Sequence, residues 1–570
     1  MLAGWIGTAI GAAADSLPNP EPSGGEGRKQ SVAAQRQTVV AAHPLAAQAG
    51  LEILRAGGAA IDAAVAVQLV LNLVEPQSSG IGGGFLLHYD AADAALSAYD
   101  GRETAPAAAT PDMFLGADGK PLEFYDAIVG GLSVGTPGVL RLLEAAHRAH
   151  GRLPWARLFE PAILLAGRGF AVSPRLHALL AADEYLPHSP TAKTNFYSAD
   201  GAPLAVGAIL RNPAFADTLR IIAAGGADAF YGGPIAADIA AAVQTAAPRA
   251  GRLTVEDLAA YRAKERAPVC SPYRTWRVCG MPPPSSGAIA VLQILGLLDS
   301  FDPAALTESP VAAIHLIAEA SRLAFADRDR YLADPDFVDV PVAALLSADY
   351  LQRRERLISP DRSLGKATPG ELTQKAGWAL PAPQFEPAST SHISIVDADS
   401  NAVGFTSSVE NAFGSRVRVR GFLLNNQLTD FAFQPERDGR LVANRVEPGK
   451  RPRSSMAPTM VFDSGGRLLL VVGSPGGSSI IGYVVKTLVG VLDAGLDPQV
   501  AIDRPNFVNR NGATELESDR GMESIGAALT ALGHEVKYVE MTSGLHAILV
   551  TPSGLRSGAD SRRDGVAAGD

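Results

Sequence analysis

Downstream of residue 390 the chain alternates. Ile393 and Ile395 stand two apart with polar neighbours between them and Asp397 after them, and a period of two is the mark of a strand with one buried face. The same pattern predicts strands over 390–397, 402–408, 421–425, 458–463, 467–472, 536–540 and 545–550, with a helix from Ile480 to Asp493 among them. The N-terminal part reads differently. Val39 to Ala42 predicts a short strand, followed by helices from His43 to Ala56 and from Ala60 to Leu73, with Gly57-Gly58 between them. Asp62 lies near the start of the second helix, where negative charge suits the dipole. From Ala63 to Leu73 this helix is apolar nearly all round, so it belongs inside a core. Phe85–Tyr89 and Leu96–Tyr99 predict a hairpin about Ala91-Ala92-Asp93. Helices are expected to dominate from Gly138 to about Leu180 and from Pro234 to about Arg266, with two more over Ala288–Leu298 and Pro310–Leu332. No repeat of fixed period is present. Strands and helices in both halves predict a layered α/β fold.

Composition narrows the function. The 570 residues would ordinarily suggest several domains, and an apolar content of 47% supplies ample core. No window approaches ~20 uninterrupted apolar residues, so no transmembrane segment is expected. A net charge of −10 with scattered basic residues argues against nucleic acid or an anionic membrane as partner. Met1 to Ala14 is apolar and ends in Ala12-Ala13-Ala14, like a small-residue cleavage site, but it has no positive n-region and is broken by Gly4 and Gly7. Asp15 to Gln37 has the composition of a disordered linker. Residues 1–37 are therefore read as an atypical export segment plus linker. This predicts a periplasmic or secreted protein; the alternative is a cytoplasmic one with a disordered tail.

The two cysteines, Cys270 and Cys279, flank a segment in which a turn at Arg274-Thr275 would set Tyr273 opposite Trp276 and Cys270 opposite Cys279. A cross-strand disulfide is then possible and would fit an oxidising compartment. Two buried free thiols fit equally well. Zinc ligands of suitable spacing are missing near the pair, and no metal or cofactor is expected.

The candidate chemistry begins at Ser389-Thr390-Ser391-His392. A run containing Pro381, Pro383 and Pro387 precedes it and reads as a loop. A hydroxyl residue at the mouth of a strand, after a loop that can be cut, has a distinctive use. Cleavage before Thr390 would leave its α-amino group, with an unperturbed pKa near ~8, beside its own hydroxyl as an activating base. By itself the segment is also compatible with an ordinary strand. No Gly-x-Ser-x-Gly elbow appears, and Gly80–Gly84 lacks the Gly-Lys-Ser/Thr of a phosphate loop.

An ordered set of motifs extends this reading. Leu424-Asn425-Asn426-Gln427-Leu428-Thr429-Asp430-Phe431, Gly449 to Thr459 and Gly473-Ser474-Pro475-Gly476-Gly477-Ser478 follow the Thr-Ser-His-x-Ser start. Gly57 to Ala66, Gly80 to Phe85, Arg102 to Pro106, Met281 to Gly287, Ala326-Asp327-Arg328 and Asp334-Pro335-Asp336-Phe337 precede it. From about Thr38 onward the chain resembles the γ-glutamyltranspeptidases. The resemblance implies the four-layer αββα sandwich of the N-terminal-nucleophile hydrolases, cut into a large chain (38–389) and a small chain (390–570) that stay together. It implies cleavage between Ser389 and Thr390, Thr390 as nucleophile with Ser408 behind it, and an oxyanion loop at Gly476 and Gly477. It implies Arg102, Ser454 and Ser455 on the donor's α-carboxylate, and Gln427 and Asp430 on its α-ammonium. A guanidinium can grip a carboxylate through two bonds.

There are departures. Glu410 stands where the best-known members carry Asn beside the ammonium site, and Ser408 where the family often has a second Thr. The loop from Ala432 to Gly449 is shorter than a full lid, lacks Tyr, and reads as mobile around Arg437-Asp438-Gly439-Arg440. The implied activity is transfer of a γ-glutamyl group from a glutathione-like donor to water or to an amino acid or peptide acceptor. A cephalosporin or glutaryl acylase is the enzymatic alternative, and an uncut, non-catalytic binding homologue the alternative of a different class.

Overall fold

The alternation in the segment that follows Thr390 sorts its side chains between two cores. The computed structural model describes residues 29–372 and 389–570. In it Ser391–Val396 is a strand. Ile393 and Ile395 join one apolar cluster with residues of the helices Ala60–Val74 and Val139–His150, while Val396 joins another that lies between two sheets. The first sheet has seven strands, in the spatial order Val566–Gly569, Thr38–Ala41, Ser391–Val396, Ala402–Ser408, Gly83–Asp90, Ala95–Asp100 and Lys264–Arg266. The second also has seven, in the order Val32–Ala34, Gly554–Ala559, His546–Thr551, Leu468–Gly473, Thr459–Phe462, Trp276–Gly280 and Val269–Tyr273. Every pairing within them is antiparallel.

Val40, Phe85 and Leu87 of the first sheet meet Met460, Val471 and Ile548 of the second. On the outer side of the second sheet, Val461, Leu470 and Val472 pack with the helices Gly287–Leu298, Pro310–Tyr331 and Ile480–Leu492. Helices, sheet, sheet and helices make the four-layer αββα sandwich. Ala60–Val74 is buried along its whole length, as its all-round apolar pattern requires. Its one acid, Asp62, accepts there from the N–H groups of Ala59, Arg152 and Leu153 through one carboxylate oxygen, and the other lies 3.4 Å from His147 Nε2.

Several expectations need correction. Residues 15–37 do not form a linker to their end, because Val32–Ala34 pairs with Gly554–Ala559. The Lys29 ammonium donates to the carbonyls of Asp560, Arg563 and Gly565 at 2.5–2.6 Å. The strand expected over 421–425 shrinks to Phe422–Leu423, since the chain around it turns through left-handed backbone at Phe413, Arg416 and Arg420. The helical stretch expected to reach Arg266 ends in the edge strand Lys264–Arg266. Cys270 faces Cys279 and Tyr273 faces Trp276, and the cysteines form a disulfide, which sets aside the free-thiol alternative. The export segment at Met1–Ala14 and the proline run 381–387 lie outside the described residues.

Candidate active site

Thr390 immediately precedes the strand Ser391–Val396, third in its sheet and flanked on both sides. Strand pairing on both edges fixes its backbone before any chemistry occurs. Thr390 is buried, and its hydroxyl lies against the Ser389 carbonyl oxygen and 3.4 Å from Ser408 Oγ. Ser408 Oγ donates to the same carbonyl at 3.2 Å and accepts the Glu410 N–H at 2.7 Å. Ser389 Oγ donates to the Gln77 carbonyl at 3.0 Å. The Ser389–Thr390 peptide is thus held from both sides, with a hydroxyl donor on its carbonyl oxygen.

Gly476 and Gly477 follow the strand Leu468–Gly473 and lead into the helix Ile480–Leu492. Both have positive φ, +132° and +54°, a conformation glycine adopts without strain. A Cβ on Gly476 would stand 2.7 Å from the Tyr483 ring. Neither N–H has an acceptor among the described residues, and Gly477 lines the same pocket as Thr390. Free N–H groups at a helix start can stabilise a developing negative charge.

That pocket, about 260 Å³ of space opening to solvent, is also lined by Arg102, Ser389, Ser408, Glu410, Gln427, Asp430, Ser454 and Ser455. Every residue singled out in the sequence lines it except Gly476, which adjoins Gly477. At one end stands Arg102, fully buried. Its Nε donates to the Pro452 carbonyl at 3.2 Å and its Nη2 to the Arg453 carbonyl at 3.0 Å and to Asp430. Only Nη1 makes no hydrogen bond. One of the guanidinium's two outer nitrogens is thus engaged by Asp430. Ser454 Oγ accepts the Met456 N–H at 3.2 Å, and Ser455 Oγ accepts from Arg328 Nη2 at 2.7 Å. Neither hydroxyl donates to an acceptor among the described residues, which leaves both protons for an anion.

Beside Arg102, Asp430 also accepts from Gln427 Nε2 at 2.6 Å in the tight turn Gln427–Asp430. Glu410, buried and at a left-handed φ of 83°, accepts from Asn426 Nδ2. Left-handed backbone at a non-glycine residue is costly and clusters at functional sites. Sequence reasoning gave no role to Glu103. It is buried behind Arg102, with 3.9 Å between Nη1 and its carboxylate, and burial pushes its carboxyl up to about 8 against the pull of Arg102. Its presence in the Arg-Glu-Thr-Ala-Pro motif was the one available signal.

The reduced lid carries one element of regular structure. Glu436–Arg437 and Arg440–Leu441 pair as a small exposed hairpin turning at Asp438 and Gly439, both at positive φ. Its root is tied to the pocket by Asn444, whose Nδ2 donates to the Asp430 carbonyl at 2.7 Å. Among the described residues, His315, Glu319 and His534 bring three possible metal-ligand atoms within 4.8 Å of one another. They lie outside this pocket and are already engaged: His315 Nδ1 and His534 Nε2 share a hydrogen bond of 2.7 Å, and Glu319 accepts from Arg322 at 2.9 Å.

A threonine at the mouth of a central strand, between two antiparallel sheets and sharing a pocket with a glycine loop, is the arrangement of the N-terminal-nucleophile hydrolases. The family model for gamma-glutamyltranspeptidase matches residues 46–570, and the chain belongs to that family. It is 37% identical to the glutathione hydrolase proenzyme of Escherichia coli strain K12, over 100% of this chain and 98% of that protein. It is 35% identical to the acylase ACY 1 proenzyme of Pseudomonas sp. strain SE83, over 96% of each. The crystal structure of cephalosporin acylase from Bacillus halodurans superposes with a TM-score of 0.83 at 28% identity, covering 98% of this chain and 99% of that one. The chain is an enzyme of the γ-glutamyltransferase and glutathione hydrolase class, and the inert-homologue alternative is set aside. Among the described residues no helix is long and apolar enough to cross a membrane.

Proposed function

We propose that the precursor cuts itself between Ser389 and Thr390 and then transfers γ-glutamyl groups through an acyl-threonine. Thr390 Oγ1 attacks the Ser389 carbonyl carbon while Ser408 donates to its oxygen. The acyl group moves from N to O, and water hydrolyses the ester. The products are a large chain ending at Ser389 and a small chain of residues 390–570, whose new α-amino group is the base. In turnover this amine takes the Thr390 hydroxyl proton as oxygen attacks the donor's γ-carbonyl. The Gly476 and Gly477 N–H groups receive the oxyanion, and the proton passes to the leaving amine. Water, or the amine of an amino acid or peptide, then attacks the ester and frees Thr390.

The observation that carries this reading is the direct Arg102–Asp430 ion pair in the pocket wall. A donor bearing both α-charges can exchange partners with it, carboxylate to Arg102, Ser454 and Ser455, ammonium to Asp430, Gln427 and Glu410. No buried charge is then left alone, which would be costly. A glutaryl donor supplies only the carboxylate. The acylase reading keeps one support, the similarity to acylases over nearly the whole chain. A chromogenic γ-glutamyl anilide and a glutaryl anilide, each with and without glycylglycine, separate the readings. Faster turnover of the glutaryl donor would overturn the γ-glutamyl assignment. The Cys270–Cys279 disulfide supports an exported enzyme, since oxidising compartments preserve such bonds.

A further inference from the structure

The donor-carboxylate end has a cation behind its serines that the mechanism above does not use. Arg328 lies on the long helix Pro310–Tyr331 and is 2% exposed. Its guanidinium spans two hydroxyls: Nη2 donates to Ser455 Oγ at 2.7 Å and Nε to Ser286 Oγ at 2.8 Å. Ser286 Oγ in turn donates to the Ser454 carbonyl at 2.7 Å, and the Ser286 N–H reaches the same oxygen at 2.7 Å. One planar group therefore fixes both members of the Ser454-Ser455 pair, one through its side chain and one through its backbone. Asp329 accepts from Nη1 at 3.0 Å on the side away from these contacts.

We infer that Arg328 is a positioning and specificity residue that commits the Ser455 hydroxyl to donate, so that the pocket selects donors carrying a carboxylate. A serine hydroxyl can donate or accept. Ser455 Oγ receives a charge-assisted N–H, so its own proton is directed to the ligand, and the nearby positive charge strengthens that donation. Lysine is a point charge and cannot hold Ser455 and Ser286 together in one plane. The inference rests on the carboxylate assignment of Ser454 and Ser455, which γ-glutamyl and glutaryl donors share, so it holds whichever of the two the enzyme prefers.

The test compares wild type, Arg328→Gln, Arg328→Lys, Ser455→Ala and the Arg328→Gln/Ser455→Ala double variant, each as the processed enzyme. Substrates are the γ-glutamyl anilide, the glutaryl anilide and a 4-aminobutyryl anilide that lacks the carboxylate. Arg328→Gln should raise KM about tenfold or more for the two carboxylate donors, with kcat within about twofold, because the carboxylate is bound alike in ground and transition states. The kcat/KM of the 4-aminobutyryl donor should change less than about twofold. Arg328→Lys should recover part of the KM, and Arg328→Gln should add little once Ser455 is Ala, since the two act as one unit. Equal losses on donors with and without the carboxylate would overturn the inference. So would an undiminished Arg328→Gln effect in the Ser455→Ala background. If Arg328→Gln fails to mature, the same contrasts are read from Arg328→Lys. A wild type inactive on both carboxylate donors would instead refute the proposed function.

Discussion

The two ends that the proposed function assigns to the donor's carboxylate and ammonium meet at the Arg102–Asp430 pair and are built in different ways. The carboxylate end is assembled from distant parts of the chain. Arg102 follows one strand of the first sheet, Ser286 and Arg328 come from the loop and helix outside the second sheet, and Ser454 and Ser455 come from the loop before Thr459. Ser454 N–H donates to the Pro284 carbonyl at 3.1 Å and Ser285 Oγ to the Met456 carbonyl at 2.5 Å, which ties those two loops together. The ammonium end is local. Glu410, Asn426, Gln427 and Asp430 lie within 21 residues of sequence, on backbone that turns sharply at Glu410. A long-range site resists single changes through many supports but demands a finished fold. A local site can change specificity by one substitution, which is where this chain departs from the family pattern.

The largest expected effect bears on both ends, because neither matters without the nucleophile. Thr390→Ala should leave one uncut chain, with activity reduced ~10⁴-fold or more. N-terminal sequencing of the wild-type small chain should begin Thr-Ser-His-Ile-Ser, and any other start would move the nucleophile. Next, Arg102→Lys should lower kcat/KM by ~10²-fold, mainly through KM. Lysine cannot serve Asp430, the two carbonyls and a ligand together, and a buried unpaired acid costs about 3 kcal/mol. A wild-type KM in that variant would remove Arg102 from the carboxylate end. Gly476→Ala should cut kcat ~10-fold to 100-fold with little change in KM, because its Cβ would press on Tyr483 and displace the oxyanion loop.

The comparison is sharpened by a smaller change at the local end. Glu410→Gln should narrow the preference for γ-glutamyl over glutaryl donors, expected to be at least about tenfold in wild type, by weakening the γ-glutamyl side alone. Arg328→Gln should weaken both donors. If the two variants moved the two donors in parallel, the division of the pocket into ends would fail.

Local patterns made much of this legible. The period of two exposed the nucleophile strand, and the hairpin about Arg274-Thr275 followed from turn spacing. What escaped was non-local. The strands Gly554–Ala559 and Val566–Gly569 are rich in small residues and carry little alternation; they exist because neighbours offer hydrogen-bonding edges. At the site, the donor-binding side chains were named through the resemblance. The Arg102–Asp430 pairing and the Arg328 bridge each join residues far apart in sequence, which no spacing rule reveals.

Glu103 gives the smallest prediction, and it tests whether the carboxylate end keeps its cation available. Its carboxyl is buried beside Arg102, with Asp430 and Asp100 adding negative charge nearby, and desolvation dominates, raising it from an ordinary 4.5 to about 8. Between those values the folded protein holds a proton that the unfolded chain has released. Stability from this group is therefore full below about pH 4.5, falls as pH rises and stops falling near pH 8. The slope is at most about 1.4 kcal/mol per pH unit. Glu103→Gln mimics the protonated form and should flatten that part of the profile, read as urea midpoints between pH 5 and pH 8. The activity arm follows from the same proton. Neutral Glu103 leaves Arg102 Nη1 free for the donor, whereas ionised Glu103 competes for it. The wild-type KM for the γ-glutamyl anilide should therefore rise above about pH 8, and that rise should vanish in Glu103→Gln. An identical KM profile in the two proteins would mean that the charge state of Glu103 does not reach the ligand through Arg102 Nη1.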